Sequence, residues 1–509
     1  MPKKFYITTP IYYPSGNLHI GHAYTTTLAD ILKRYKKLDG YETYFLTGSD
    51  EHGQKIEQKA EEENLTPMEY LKDKVESFKT LWNLLYIDYD KFIRTTDVYH
   101  EETVKKIFTK LLEEGYIYEG KYEGFYCVSC EEFLNSDQIT KDNRCKISNN
   151  AVVVVQEDTY FLQLSKFQNF IENDVLASDF LIPAYRRNEM INSFVKPELK
   201  DLSVTRTSFS WGIPINENPK HIVYVWIDAL TNYITALGYL QENDSNFNKY
   251  WGDKDTEILH LAGKEIIRFH SIYWPAILKG LNLRQPNHLL GHGWILSGGT
   301  KMSKSIGNVV DPIKIIQKYG ADGFRFYIAY ELPTEKDGNF TEDLFVESYN
   351  AHLANNVGNL ISRTNQMITK YFEGKLNHSV IKMNSVVEKE VISTINNYKK
   401  LMDEYKISEA TRVVLDLGKT LNKYIEEQTP WTLAKEERFE ELEEVLITLQ
   451  KAIVAVILLL KPILVENTDK MFNDMGISKK QIEIINFDNI LEMKFEKIES
   501  KQILFNRIK

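Results

Sequence analysis

Two short segments carry side chains suited to phosphate chemistry. His19-Ile20-Gly21-His22 stands where a β-rich run has ended and a helical run begins, which is where an open α/β sheet binds nucleotides. The N–H groups and dipole of a helix start favour phosphate, and Gly21 lets a nucleotide approach the backbone closely. Two imidazoles can donate hydrogen bonds to phosphate oxygens as charge builds in a transition state. Lys301-Met302-Ser303-Lys304-Ser305 lies far downstream, after a strand and the glycine-hinged Ser297-Gly298-Gly299-Thr300. Its lysines and hydroxyls suit a loop that closes over a triphosphate and neutralises it. Taken singly, the first segment reads as histidines capping a helix and the second as a solvated turn. Their joint presence in this order points to nucleotide chemistry.

The elements that must position them follow from periodicity. Phe5 to Thr9 is a β-rich run ended by Pro10, and Pro14 to Asn17 is turn-like. A helix is expected from about Ile20 to Leu38, with Leu28, Ile31, Tyr35 and Leu38 at helical spacing. Tyr44 to Leu46 reads as the next strand, which completes a βαβ unit. From about Gly115 to Ser210 short strands such as Val152 to Val155 lack alternating helices, so this stretch reads as an insertion. Strands at His221 to Ile227, Glu257 to Leu261 and His288 to Leu290 follow, with a helix near Ile266 to Leu278. Beyond Asn339 strand signals vanish; Thr341 supplies a hydroxyl cap with acids in the first turn. Amphipathic runs are then expected near 343–372, 384–405, 407–427 and 438–460. The expected fold is α/β: a doubly wound, Rossmann-like parallel sheet with an inserted connective domain, followed by an all-α helical bundle. The segments run 1–114, 115–215, 216–340 and 341–509.

Together the two motifs resemble those of the class I aminoacyl-tRNA synthetases. The resemblance implies that ATP is held by His19, Gly21, His22, His292, Gly293, Lys301, Ser303 and Lys304, with Mg²⁺ on the phosphates. It also implies that His19, His22, Lys301 and Lys304 stabilise displacement at the α-phosphate by an amino acid carboxylate. No protein nucleophile is needed, so catalysis rests on orientation and electrostatics, with His22 and Lys304 as the strongest candidates for direct contact.

Further segments resemble the methionine family within that class. Thr8-Thr9-Pro10-Ile11-Tyr12-Tyr13-Pro14 matches its first loop, and Ile11 and Tyr13 would line the amino acid pocket. Gly48-Ser49-Asp50-Glu51-His52-Gly53 matches its second strand end, and Asp50 would hold the amino group. In Val225 to Tyr233, the residues Trp226, Ala229 and Tyr233 would enclose the thioether, and His270 would hydrogen-bond its sulfur weakly. Glu265 stands where the family usually has Asp. A polarizable thioether suits an apolar cage with aromatic walls and one weak polar partner. Core packing is the competing reading for each aromatic, and the preferred one for Trp274.

The three cysteines, Cys127, Cys130 and Cys145, fall in one window, which suits a reducing compartment. Their spacing resembles the family's zinc knuckle, but Ser148 stands at the expected fourth position. No histidine occurs between His100 and His221. Asp142 or water could complete a shell; a degenerate knuckle held by packing is the other reading. The insertion would guide the tRNA acceptor end.

Leu353 to Arg363 resembles the family's anticodon-reading helix. Asn359 and Arg363 stand one turn apart on one face, and Trp431 after Pro430 offers an indole for base stacking. A helix-start anchor against the bundle is the competing reading for Trp431. The match implies tRNA-Met with its CAU anticodon as partner.

The net charge of −10, from 62 basic and 72 acidic residues, argues mildly against a general nucleic-acid binder, though local patches and shape can still recognise RNA. The longest apolar run, Ala452 to Leu460, is too short to span a membrane, and the N-terminus lacks a signal core, so the cytoplasm is expected. The chain ends at Lys509, leaving no room for the dimerising C-terminal module of some relatives, and a monomer is expected. Three rivals remain: a class I synthetase for another aliphatic amino acid, a small-molecule nucleotidyltransferase, and an inactive tRNA-binding protein. The pocket segments oppose the first, the bundle the second and the intact motifs the third.

Overall fold

The structure is a computed structural model that describes all residues except 1, 15, 17, 129–131, 135–137, 147, 303–306 and 499–503. The chain divides into two compact units, each assembled from separated stretches. Met1–Leu18, Glu42–Thr80 and Asp88–His292 form one; His19–Tyr41, Leu81–Ile87 and Gly293–Lys509 form the other.

The first unit is built on a six-stranded sheet, in the order Lys91–Arg94, Glu42–Ser49, Lys4–Thr8, Thr256–Gly263, His288–His292, Leu181–Ile182. Every neighbouring pair is parallel. Phe5, Tyr6 and Ile7 are fully buried, as a parallel strand covered on both faces requires. The chain leaves Lys4–Thr8 toward one edge and later returns on its other side as Thr256–Gly263. The order therefore reverses between these two strands, and an open α/β sheet keeps its ligand crevice beyond the carboxyl ends at such a reversal. The insertion forms an antiparallel sheet of its own, in which Ile117–Cys127 pairs with Val153–Leu162 between Glu132–Leu134 and Leu202–Ser203, while its Leu181–Ile182 joins the edge of the six-stranded sheet.

One local expectation is corrected. Of the strand expected over His221 to Ile227, only Ile222–Val223 is extended, and a helix runs from Val225 to Thr235. A short apolar run does not distinguish a buried strand from a buried helix; Asp228 in the first turn favours the helix start. The helix expected near Ile266 to Leu278 is present as one continuous helical run from Lys264 to Gly280, which opens as a 3-10 turn, widens at Phe269–Tyr273 and continues as an α-helix over Trp274–Gly280. Pro275 has no N–H to continue a regular ladder. The expected hinge, Ser297 to Thr300, is the tight end of a hairpin between Ile295–Ser297 and Thr300–Lys301. Gly298 and Gly299 both take positive φ, 58° and 80°, as a two-residue hairpin turn demands.

The second unit is helical. It holds Ile20–Leu38, Ala321–Glu331 and the long helices Ser385–Asp403, Ile407–Gln428 and Phe439–Leu460. Thr341 caps its helix, accepting from the Leu344 N–H at 3.2 Å. Phe439–Leu460 is buried on nearly all sides from Val445 onward, and among the described residues no helix is long and apolar enough to cross a membrane. Arg325, fully buried, joins four stretches. It pairs with Asp30 of the histidine-bearing helix at 2.6 Å and donates to the carbonyls of Leu85 at 3.0 Å, Pro462 at 3.0 Å and Ile463 at 2.8 Å. Further along the same helix, Tyr35 and Lys36 both bond Asp403 Oδ1 at 3.1 Å. Breaking a buried ion pair from one side strands a charge without solvent. Arg325→Ala should therefore cost about 3–5 kcal/mol, seen as a lower urea midpoint for the helical unit; an unchanged midpoint would show that the guanidinium is not a keystone.

Candidate functional site

The helix Ile20–Leu38 opens with a reciprocal cap made by imidazoles rather than by a hydroxyl and a carboxylate. His19 is extended (φ −130°, ψ 173°) and its Nδ1 accepts from the Gly21 N–H at 3.1 Å, while His22 Nδ1 accepts from the His19 N–H at 3.2 Å. The rings lie 4.1 Å apart. With each Nδ1 an acceptor, each neutral ring carries its proton on Nε2. A Cβ on Gly21 would stand 2.9 Å from the His19 ring, so glycine permits the cap. No acid occupies the first turn, which leaves the positive end of the helix dipole uncompensated.

The same unit holds Lys301, and the histidine-bearing helix start is bonded to a stretch just beyond the lysine segment. Ile20 N–H donates to the carbonyl of Val310 at 3.2 Å, just beyond that segment. Lys301 Nζ sits 4.0 Å above the Trp294 ring. Asn308 closes the base of the loop, its amide donating to Thr300 Oγ1 at 3.1 Å and the Lys301 carbonyl at 3.2 Å. Ser303, Lys304 and Ser305 lie outside the described residues. Gly293 has no space for a side chain, since a Cβ there would stand 2.2 Å from the Lys336 carbonyl oxygen.

In the first unit, His292 ends its strand nearly buried. The residues expected to line the amino acid pocket fall in two groups of this unit. Tyr12 N–H bonds the Gly48 carbonyl and Asp50 N–H the Tyr12 carbonyl, both at 3.0 Å. The segment carrying Ile11 and Tyr13 thus lies along the end of Glu42–Ser49, beside Asp50. A Cβ on Gly48 would stand 2.1 Å from the Ile93 carbonyl oxygen and 3.0 Å from Ile11 Cγ2. Trp226 stacks face to face on Phe269, with centroids 3.7 Å apart and planes at 9°. Ala229 and Tyr233 follow, buried, on the same helix.

Tyr233 and His270 form one polar unit inside this apolar wall. The Tyr233 hydroxyl lies 2.7 Å from His270 Nε2, and His270 Nδ1 lies 3.0 Å from the Ile266 carbonyl. A carbonyl only accepts, so Nδ1 bears the hydrogen and Nε2 accepts from the tyrosine. Burial pushes the His270 imidazole down to about 4, which keeps it neutral near pH 7. Weak donation from His270 to a sulfur, expected from the sequence, has no N–H to use in this arrangement; the tyrosine hydroxyl occupies Nε2. Trp274 is fully buried and donates to His260 Nε2 at 3.2 Å, in keeping with its reading as core.

Other residues of this site carried no signal that the sequence reading used. Glu51 is fully buried and accepts two bonds of 2.8 Å from Arg94 and one of 2.6 Å from Thr96. Asp228 is shared by two imidazoles: Oδ2 lies 2.7 Å from His52 Nδ1, and Oδ1 lies 2.7 Å from His100 Nε2. Burial alone would push His52 down, but the Asp228 carboxylate, with Glu101 behind it, outweighs that and holds the ring at about 10. Asp228, which burial alone would raise, is held below the usual carboxylate range by His52 and His100. Asp228 lay within the segment read as the pocket wall, and His52 within the segment read around Asp50. Nothing local marks His100.

In the insertion, Cys127 and Cys145 are buried with Leu134 and Ile139. Cys127 Sγ lies 3.2 Å from Ser148 Oγ, and the Ser148 N–H points to Cys145 Sγ at 3.5 Å. Cys130 lies outside the described residues. Among the described residues, no group of three or more His, Cys, Asp or Glu is arranged to hold a metal.

In the helical unit, Asn359 is exposed at the first position of Asn359–Phe372. Arg363 pairs with Glu426 at 2.6 Å, near the end of Ile407–Gln428. Thr429 then turns the chain at φ 41°, Pro430 is buried, and Trp431 is left 44% exposed.

A family model described as tRNA synthetases class I (M) matches residues 5–142 and 137–365. One described as the anticodon binding domain of methionyl tRNA ligase matches residues 378–509. The methionine–tRNA ligase of Ureaplasma parvum serovar 3 is 44% identical over 514 residues, covering 99% of this chain and 98% of its own. That of Bacillus subtilis is 44% identical over 533 residues, covering 100% of this chain and 79% of its own. A solved structure titled Mycobacterium tuberculosis methionyl-tRNA synthetase in complex with methionyl-adenylate is similar at a TM-score of 0.93 and 32% identity, covering 99% of this chain and 100% of that one. With both halves of the family's pattern present along one chain, the protein belongs to the methionyl-tRNA synthetase family of class I tRNA synthetases.

Proposed function

We propose that the protein adenylates methionine with ATP, releasing pyrophosphate, and then passes the methionyl group to the 3′-terminal adenosine of tRNA-Met. The observation that carries this reading is the imidazole-capped helix start, bonded through Ile20 to Val310 beside the lysine segment. His19 and His22 offer Nε2–H donors to the triphosphate at the positive end of a helix. Lys301, Ser303 and Lys304 neutralise the pyrophosphate as it leaves, while Gly21, His292 and Gly293 let the nucleotide approach the backbone. Mg²⁺ arrives on the phosphates, where it would disperse their charge. The amino acid carboxylate attacks the α-phosphorus, and the bond to the leaving pyrophosphate breaks.

Asp50 holds the substrate ammonium. Ile11, Tyr13, Trp226, Ala229 and Tyr233 enclose the thioether, and His270 acts on it through the Tyr233 hydroxyl. Such a cage favours a flexible apolar side chain over a charged or hydrated one. Asn359, Arg363 and Trp431 read the CAU anticodon, and residues 341–509 form the segment that does so. Among the described residues the knuckle offers two thiols and a hydroxyl bonded to one of them, whereas a closed zinc site takes four ligands, usually Cys and His. No step is assigned to zinc. The protein acts as a cytoplasmic monomer.

Amino-acid-dependent ATP–pyrophosphate exchange across all twenty amino acids tests the reading: methionine should give the strongest signal, and dominant exchange with isoleucine or valine would overturn the substrate. His22→Ala and Lys304→Ala should each lower that exchange on the order of a hundredfold or more. Trp431→Ala should reduce tRNA charging about tenfold, within the range of one lost stacking contact, and leave exchange near the wild-type rate. Equal losses in both assays would remove Trp431 from anticodon reading.

A further inference from the structure

Asp228 lies on Val225–Thr235, the helix whose Trp226, Ala229 and Tyr233 face the thioether in the reading above. At 3.6 residues per turn, positions 226, 229 and 233 share one face and positions 228 and 235 share another, roughly opposite. Both residues of that second face are held by one imidazole. His100 Nε2 lies 2.7 Å from Asp228 Oδ1, and His100 Nδ1 lies 2.6 Å from Thr235 Oγ1. Asp228 accepts, so Nε2 donates, and in the neutral ring Nδ1 accepts the threonine hydrogen.

The second oxygen of Asp228 reaches elsewhere. Its Oδ2 meets His52, two positions after Asp50, at 2.7 Å. The chain around Asp50 is fixed on both sides: Ser49 and Glu51 are fully buried and bonded to one another, and Glu51 is gripped by Arg94 and Thr96. Its N–H donates to Thr95 Oγ1 at 2.9 Å. Trp211 packs edge-on against His52, centroids 5.5 Å apart, and donates from Nε1 to the Glu51 carbonyl at 2.7 Å. The frame that presents Asp50 and the helix that presents the aromatic cage are thus tied through a single buried carboxylate.

We propose that Asp228 is a positioning residue that sets the separation and angle between the ammonium-binding Asp50 and the thioether cage, with His52 and His100 as its two anchors. It touches no substrate. A buried ion pair is poor evidence for added stability but well suited to fixing one geometry, and a binding site needs its parts held to about 0.5 Å and 10–20°. An apolar contact along the back of the helix would permit small rotations and slides. Charge-assisted bonds to two differently placed imidazoles resist both. Methionine is recognised at its two ends, so the spacing of those ends is what the clamp controls; ATP binding is not.

The inference rests on the proposed methionine pocket, and the experiment separates the two. Steady-state exchange gives KM for methionine and for ATP in wild type, Asp228→Asn, His52→Gln and Asp50→Asn, with melting curves for each. Asn keeps the size of Asp228 but cannot accept from both imidazoles. Asp228→Asn should raise the methionine KM about tenfold or more, as misplacement of a binding group does, with the ATP KM within about twofold and kcat at saturating methionine within about threefold. His52→Gln should show the same split, and it decides the matter if Asp228→Asn does not fold. An unchanged methionine KM, or methionine and ATP KM rising together, would reduce Asp228 to a structural anchor and overturn the proposal. An unaltered methionine KM in Asp50→Asn would instead remove the pocket assignment itself.

Discussion

An α-helix starts with backbone donors that its own turns cannot satisfy, and the way Ile20–Leu38 meets that constraint governs its surroundings. Gly21 gives its N–H to the His19 ring, His22 takes that of His19, and Ile20 turns to the carbonyl of Val310. Two consequences follow from the same bonds. The caps consume each Nδ1 and so leave the ring hydrogens on Nε2, and the backbone bond recruits a stretch nearly three hundred positions away. Local capping chemistry and the assembly of a phosphate-suited surface are one event. With an ordinary serine–glutamate box the helix would begin equally well, but it would carry a negative charge at its start.

Buried charge plays a parallel part in each unit. In the helical unit Arg325 takes Asp30 and three carbonyls, while the Asp322 carboxylate accepts the N–H groups of Val465, Glu466 and Asn467 at 2.7–3.0 Å. In the sheet unit Glu51 takes Arg94, and Asp228 takes His52 and His100. None of these charges is left without an opposite or a hydrogen-bonding partner, which is the condition for their burial.

Much of this was legible in the chain. The histidine helix has the bounds that its apolar spacing implies, and Thr341 caps the helix where its hydroxyl predicts. The sheet strands at the two carboxyl ends also lie where their β-rich runs place them. Other elements were not legible for identifiable reasons. Ile222 to Ile227 is apolar throughout, and such a run suits a buried strand and a buried helix alike. Gly298 and Gly299 were legible as a glycine-rich joint but not as a two-residue hairpin turn, which depends on the strands they connect. The hydrogen bonds that tie Ser148 to Cys127 and Cys145 were not legible from the cysteine spacing.

By itself the sequence determined the helix starts, the strand–helix alternation and the identity of the phosphate-suited residues, because caps, turns and periodicity are settled between residues a few positions apart. Only the tertiary structure decided the partners of buried polar groups: which imidazoles share Asp228, which tyrosine occupies His270, which aromatic covers Trp226. A buried charge or donor must be satisfied by whatever the fold brings within 3 Å or so. For Asp228 those partners come from 128 and 176 positions away, a separation at which no local pattern carries information.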